Sequence, residues 1–319
     1  MELTYLSEAQ PLPEPPRFGK GWSFKTQAKG ACLMKLSATL DDLYQRHLTQ
    51  TKRGNWSYQS LLPWERGKSF TALPWAEGQG NLTPELTVAV ETAFLTEVNL
   101  PWFTAGLKAL FETGPLALKE FVKTWTAEED QHSRILDVYL ALSRNGDPER
   151  RAALRKQVLT DGYEIDGNSG FAVMVYTTLQ ELATRVFYQQ VAKAVDVMDP
   201  VLALILRTIA KDETLHFAFY RDAVRAYLED DPTRIATVYQ VVPKFRMPGS
   251  AMPGFPSRMR VIAESTGYGV GAYLNAVMDP ILRAWDVWER DVPLAAVESR
   301  QGLLTHRARL CRIADRLAT

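Results

Sequence analysis

Glu129-Asp130-Gln131-His132 and Glu213-Thr214-Leu215-His216 are two copies of one local pattern, Glu-x-x-His, in a chain with four histidines. Each copy is preceded by a further carboxylate at the same distance: Glu97 lies 32 residues before Glu129, and Glu181 lies 32 before Glu213. Glu and His three residues apart share one face of a helix, so each pair can reach a common point. Four carboxylates and two imidazoles arranged as a duplicated half-site are the ligand inventory of a carboxylate-bridged di-iron centre in a helix bundle. Carboxylates can bridge two irons and change coordination with oxidation state, while each imidazole supplies a neutral terminal ligand. The duplication assigns Glu129 and Glu213 as bridges, Glu97 with His132 to one iron, and Glu181 with His216 to the other. The acids just before the motifs, Glu128 and Asp212, are placed to accept from the second ring nitrogens. A Glu stands three residues before a given His about once in 15 by chance. One match is weak evidence, but two with matching upstream acids outweigh incidental surface pairs.

Four helices must hold these residues. Thr83-Pro84 puts a capping hydroxyl before a proline and opens a helix to about Phe111, carrying Glu97. Gly114-Pro115 starts the next, which ends near Asn145-Gly146 and carries Glu129 and His132. Asn168-Ser169 opens a third to about Val197, with Glu181, and Asp199-Pro200 a fourth to about Glu229, with Glu213 and His216. Pro101 falls inside the first, four residues past Glu97, and should kink it. Val122, Trp125, Val175, Tyr176, Val186 and Phe187 make these helices apolar over much of their surface, which places them centrally. Buried carboxylates there are costly unless a cation neutralises them.

Around this core, residues 1–30 read as a proline-rich extended arm, and a helix follows from about Ala31 to Gln50. Residues 52–82, rich in Gly, Pro and Trp, read as an irregular crossing. After a Gly/Pro interruption at Pro243 to Pro256, helices are expected over about 269–291 and 293–317. No stretch alternates with period two. The fold class is therefore all-α: a ferritin-like di-iron four-helix bundle core over about 83–230, with additional flanking helices, in a single domain spanning 1–319.

Composition narrows the function classes. With 37 basic and 37 acidic residues the formal charge is zero, against a nucleic-acid binder. Cys32 and Cys311 are the only cysteines and sit in no metal or redox motif, so a reducing cytoplasm is the expected compartment. No signal peptide or transmembrane segment is evident, the longest apolar runs falling far short of roughly 20 residues.

At these residues the chain resembles the soluble acyl-acyl-carrier-protein fatty-acid desaturases (the stearoyl-ACP type), in their bacterial branch. The matching strings are Thr96-Glu97 with Leu100-Pro101, Trp125 to His132, Tyr176 to Arg185, and Asp212 to His216. The likeness is high over about 85–230 and looser but continuous on both sides, Trp56 and Cys311-Arg312-Ile313 included. The resemblance implies a homodimeric enzyme with two Fe ions, Fe2+ when reduced, using O2 and electrons from ferredoxin and its reductase. It would remove two hydrogens from an acyl chain threaded through a bent apolar tunnel, leaving a cis double bond. It implies Glu97, Glu129, His132, Glu181, Glu213 and His216 as ligands and Thr184 beside the oxygen-binding face. Trp56, Asp212 and His132 would form a chain towards the surface. Leu182, Ser133 and Phe217 depart from the plastid pattern without removing a ligand.

Thr96, Leu107, Leu110, Val173 and Thr177 are tunnel candidates, with plain core packing as the competing reading. Acyl carrier protein is acidic, so basic residues near the tunnel mouth are expected to dock it. Lys52 and Arg53 are the first choice and Lys35 the second, while Arg150, Arg151, Arg155 and Lys156 read equally well as a solvated helix face. Three rival functions share the ligand set or the scaffold: an iron store, a related oxygenase that hydroxylates or N-oxygenates a carrier-bound metabolite, and a non-catalytic carrier-binding member. A membrane desaturase, which needs about eight clustered histidines and spanning helices, is excluded.

Overall fold

The computed structural model describes residues 24–165 and 169–318, and among them every regular element is a helix. The α-helices are α1 (Phe24–Arg53), α2 (Tyr58–Leu61), α3 (Pro84–Glu97), α4 (Leu100–Leu110), α5 (Leu116–Ser143), α6 (Pro148–Asp161) and α7 (Gly170–Val195). They continue with α8 (Pro200–Asp230), α9 (Ile235–Val241), α10 (Phe255–Thr266), α11 (Val270–Tyr273), α12 (Asp279–Ala284) and α13 (Val297–Ala318). The centre is built from α3, α5, α7 and α8, with α7 and α8 in contact along much of their length. Helix α1 lies across α5 and α8, α10 covers α3, and α13 packs on α9 and α11.

The central position of α7 follows from its sequence. Every side chain from Phe171 to Thr184 is buried, so this helix has no solvent face over almost four turns. Each large apolar side chain it buries contributes about 1.5–3 kcal/mol. Its start is fixed by the Ser169 hydroxyl, which accepts from Ala172 N–H at 3.2 Å. Asn168, the other half of the expected start signal, lies outside the described residues. Asp199 caps α8 by accepting from Leu202 N–H at 3.0 Å. The same fully buried carboxylate accepts from Asn81 and Tyr139, each at 2.8 Å, and pairs with Arg66. Burial opposes its charge, but Arg66, the Leu202 N–H, Asn81 and Tyr139 hold its pKa below the ordinary range. Asp199 thus ties the irregular crossing to the bundle.

Three expectations need correction. The helix expected over Thr83 to Phe111 is two helices, parted at Val98-Asn99. Pro101 has no N–H for the Glu97 carbonyl, and its ring would collide with that carbonyl in a continuous helix. Trp102 and Phe103 N–H turn instead to Asn99 O, each at 3.1 Å. The expected N-terminal arm lies mostly outside the described residues, and its last part, from Phe24, is already helical because no proline follows Pro16 before α1. Helix α6, over the basic residues Arg150 to Lys156 read as a helix face, is opened by Asp147, which accepts from Glu149 and Arg150 N–H. The helix expected over 269–291 is broken into α11, a π turn at Leu274–Met278 and α12, around Pro280. No described helix is long and apolar enough to cross a membrane.

Candidate metal centre

Glu97 is the last residue of α3, Glu129 and His132 project from the middle of α5, Glu181 from α7, and Glu213 and His216 from α8. All six are buried. They fall into two overlapping groups, Glu97, Glu129, His132 and Glu213, and Glu129, Glu181, Glu213 and His216. Within each group one ligand atom per residue lies within 4.8 Å of all the others. Glu129 and Glu213 belong to both, as the duplicated spacing expects of bridging residues.

The histidines are oriented alike. His132 Nδ1 faces inward, 3.0 Å from Glu129 Oε2 and 3.5 Å from Glu213 Oε1, and its Nε2 lies 3.2 Å from Asp212 Oδ2. His216 Nδ1 lies 2.9 Å from Glu129 Oε1, and its Nε2 lies 2.9 Å from Glu128 Oε2. An outer carboxylate that accepts the Nε2 proton leaves the Nδ1 lone pair facing the cluster.

The donor set fits a pair of cations. Both Glu181 carboxylate oxygens and His216 Nδ1 are buried without a hydrogen-bond partner, the 2.9 Å approach to Glu129 being out of line for one. Burial and the neighbouring Glu129 push Glu97 up to about 8, and burial with Glu129 and Glu181 raises Glu213 well above the usual carboxylate range. Burial opposes a charged His132, yet Glu129 and Asp212 raise it to about 10. Burial likewise opposes a charged Glu128, but hydrogen bonds from His216 and His47 hold it down at about 2. Without a cation the cluster must share protons to limit its negative charge. Two divalent ions would supply that charge directly and engage the unpartnered atoms.

The structure also brings together Trp56, Asp212 and His132. Trp56 Nε1 donates to Asp212 Oδ2 at 2.8 Å, and its half-buried indole stacks over the His132 ring with centroids 6.3 Å apart. Thr184 Oγ1 lies 3.2 Å from Glu213 Oε2 and is also shared with the Gln180 and Glu181 carbonyls. Two cavities of about 30 Å³ flank the cluster, sharing Thr96, Glu97 and Thr184 in their walls. One is lined further by polar groups, including Asn99, Gln180 and Glu213, and the other by Phe187, Met247, Phe255 and Met259. Of the tunnel candidates only Thr96 borders these cavities; Leu107, Val173 and Thr177 are fully buried in the core, and Leu110 is half-buried.

Lys35, Lys52 and Arg53 are exposed on α1. Lys35 is 17 residues from Lys52, roughly 25 Å along the helix, so the three do not form one patch. The Arg150 cluster is not a simple solvated face: Arg150 reaches Glu91 at 2.9 Å, and Arg151 is buried against Asp137 at 3.2 Å.

Two residues beside the cluster carry no motif of their own. His47 on α1 is buried, and its Nε2 lies 3.1 Å from the Glu128 oxygen that also meets His216. Its partner is 81 residues away, beyond any local pattern. Tyr188 donates its hydroxyl to Glu97 Oε1. It lies seven residues, two helical turns, after Glu181 on α7, a spacing that puts it on the ligand face and that the sequence did offer.

A family model of fatty acid desaturases matches residues 29–319. The chain is 31% identical over 271 residues to DesA1 of Mycobacterium tuberculosis, which carries the name of an acyl-acyl-carrier-protein desaturase, covering 81% of this chain and 79% of that protein. It is 30% identical over 238 residues to the chloroplastic acyl-acyl-carrier-protein desaturase 6 of rice (Oryza sativa subsp. japonica), covering 68% of this chain and 55% of the rice protein's length. In three dimensions it matches the X-ray structure of DesA2 from M. tuberculosis with a TM-score of 0.65 at 20% identity, over 84% of this chain and 99% of that one. The shared helical fold, the family match over nearly the whole chain and the DesA1 relationship lead to one assignment: this chain belongs to the fatty acid desaturase family, among the acyl-acyl-carrier-protein desaturases.

Proposed function

We propose that the chain introduces a cis double bond into a fatty acyl chain carried on acyl carrier protein, at two irons, using O2 and two electrons from a ferredoxin and its reductase. The observation that carries this reading is the pair of overlapping four-ligand groups sharing Glu129 and Glu213. Iron bound there would supply the oxidising power of O2, with two hydrogens lost from the chain, two electrons and two protons taken up, and water released.

The chain's own residues would hold, orient and exclude. Glu129 and Glu213 would hold both ions, Glu97 with His132 one, and Glu181 with His216 the other. Asp212 and Glu128 fix the ring orientations through Nε2. The Thr184 hydroxyl, 3.2 Å from Glu213 and bordering both cavities, is placed to pass a proton. The Asp212–Trp56 link runs outward from His132 and gives an electron route. Phe187, Met247, Phe255 and Met259 keep one side of the site apolar, suited to an alkyl segment. That cavity, at about 30 Å³, is far below the ~300 Å³ or more of a ligand pocket, so admitting a chain requires these side chains to move. Methionine's unbranched side chain suits that movement. Lys52 and Arg53, at the exposed end of α1, are the proposed contact for the acidic carrier, with Lys35 as a separate second contact. The homodimer is proposed on family resemblance alone.

The test loads the protein anaerobically with Fe(II), then adds O2, ferredoxin, its reductase and a panel of acyl carrier protein substrates. Mass spectrometry should find products lighter by two hydrogens. Gain of one oxygen would instead establish the hydroxylating alternative, and failure of the folded protein to take up two irons per chain would remove the site assignment itself.

A further inference from the structure

The apolar cavity beside the cluster has Glu97 and Thr184 in its wall, and two thioethers, Met247 and Met259, line it as well. Both methionines are held there by contacts of their neighbours. Met259 lies on α10, one residue after Arg258, whose guanidinium reaches the buried Glu91 carboxylate of α3 at 2.8 Å and the Thr92 hydroxyl at 3.3 Å. Met247 follows Arg246, whose carbonyl accepts from the Tyr176 hydroxyl of α7 at 2.8 Å. It precedes Pro248-Gly249, seated so closely on α3 that a Cβ at Gly249 would come within 2.6 Å of Thr96 Oγ1. The two segments that carry the sulfurs are thus fastened to the helices that carry Glu97 and Glu181.

At about 30 Å³ the cavity has no room for an alkyl chain until its lining moves. When no chain is bound, Met247 and Met259 therefore stand in the space that the chain would take. A bound chain supplies the two hydrogens that its own desaturation consumes. Without it, oxidising equivalents at the metal ligands need another two-electron reductant. Phe187, Phe255 and Tyr268 present aromatic rings to the cavity, and Tyr188 commits its hydroxyl to Glu97. Oxygen transfer to a ring has to break a C–H bond. A thioether sulfur is softer and more polarisable, accepts an oxygen through a lone pair, and is a common site of oxidation.

We propose that Met247 and Met259 are sites of self-oxidation, converted to the sulfoxide when O2 and electrons reach the site without an acyl chain. One thioether, one O2, two electrons from the iron–sulfur donor and two protons give one sulfoxide and one water. The O–O bond breaks, an S–O bond forms from a sulfur lone pair, and the sulfur supplies the two electrons otherwise drawn from the acyl chain. The sulfoxide makes a flexible apolar side chain polar and is reversible by methionine sulfoxide reductases. In a cavity lined by aromatic rings it opposes entry of an alkyl chain, so turnover without substrate limits itself until the sulfur is reduced. The inference rests on the acyl-desaturase reading of the site and adds a modification that regulates it.

The test loads the full chain anaerobically with Fe(II), then adds isotopically heavy O2, ferredoxin and its reductase, with no acyl carrier protein. Peptide mass spectrometry reads the gain of one heavy oxygen at each methionine. Met34 and Met198, at 71% and 40% exposure, are internal controls, because a freely diffusing oxidant reaches exposed sulfur first. Label on Met247, on Met259 or on both should exceed that on either control, persist when catalase is present, and be missing from the metal-free protein. A parallel arm adds a saturating panel of acyl carrier protein substrates, and label at the two sites should fall severalfold there. Self-oxidation is refuted if neither sulfur gains heavy oxygen, if Met34 gains as much, or if catalase or omission of iron makes no difference or abolishes the excess in the opposite sense: loss with catalase, or persistence without iron. It is refuted equally if a chain that is being desaturated leaves the label unchanged. The second arm reports on the parent reading separately: iron-loaded protein that yields no product lighter by two hydrogens would overturn the acyl-desaturase reading itself.

Discussion

The two halves of the cluster carry the same residue types, two carboxylates shared and one Glu with one His each, but are supported differently. On the His132 side the outer carboxylate, Asp212, accepts from the half-buried Trp56 indole, so the chain of contacts runs outward. On the His216 side the outer carboxylate, Glu128, meets the buried His47, whose ring lies against Phe121 at 4.9 Å and Phe219 at 6.4 Å and whose Nε2 also approaches the Thr51 hydroxyl at 3.3 Å, so a histidine stands where the other side has an indole. The terminal carboxylates differ as well. Glu97 is tied by the Tyr188 hydroxyl and borders both cavities, whereas neither oxygen of Glu181 accepts a hydrogen bond, its approach to His216 Nδ1 being 3.6 Å, and Glu181 borders neither cavity. A duplicated ligand set has thus been made into two unlike positions by its surroundings. The Glu97 side borders both cavities, and the Glu181 side borders neither.

Glu129→Ala should disable both halves at once, because it removes a carboxylate common to both groups. Near-complete loss of bound iron by elemental analysis, with helix content unchanged, is the expected outcome; retention of two irons per chain would disprove the shared role.

The supports of the two histidines can be removed one at a time. Asp212→Ala and Glu128→Ala should each weaken metal affinity by ~10–100-fold. Competition with a chelator should show two unequal binding steps, with a different one weakened in each variant. Equal loss from both steps in either variant would mean that the halves are not independent. His47→Leu should act in the same direction as Glu128→Ala, and more weakly, because Glu128 itself stays in place.

A smaller change tests the Glu97 side. Tyr188→Phe removes the hydroxyl that holds Glu97, making its surroundings more like those of Glu181. The two iron environments should converge in the Mössbauer spectrum, with iron content retained; unchanged spectra would show that this hydrogen bond does not distinguish them.

The metal-free protein should also respond to pH. His132 is raised from 6.5 to about 10 and Glu97 from 4.5 to about 8, so both bind their protons more tightly when folded. Their contribution to stability is complete below the unfolded values and is lost as pH rises, through about 8 for Glu97 and about 10 for His132. The Tm of the metal-free protein should therefore fall between about pH 6 and pH 10, while the metal-loaded protein, whose ligands have already given up those protons, should show a flatter profile. Parallel curves for the two forms would contradict the proton-for-metal exchange. Least disturbed of all should be Lys52→Glu, which leaves both iron positions intact and weakens acyl carrier protein binding several-fold at low salt; unchanged affinity would move the docking contact elsewhere.

Much of this arrangement was legible in the residues. Helix starts at Thr83, Ser169 and Asp199 were readable because capping is local chemistry, and all three hydroxyl or carboxylate caps are made. Pro101 was readable as a disturbance, but not as a full break, because that depends on where Val98 and Asn99 can find new partners. His47 could not be found from spacing, since it reaches Glu128 only when α1 crosses α5 and α8.

The six candidate ligands follow from local pattern, since a Glu-x-x-His face and a helix cap are set by neighbours three or four residues apart. The inequality of the two halves comes from packing between helices far apart in the chain. His47 reaches Glu128 across 81 residues, where no periodicity constrains it, and the helical spacing that puts Tyr188 on the ligand face does not say that its partner is Glu97, 91 residues away.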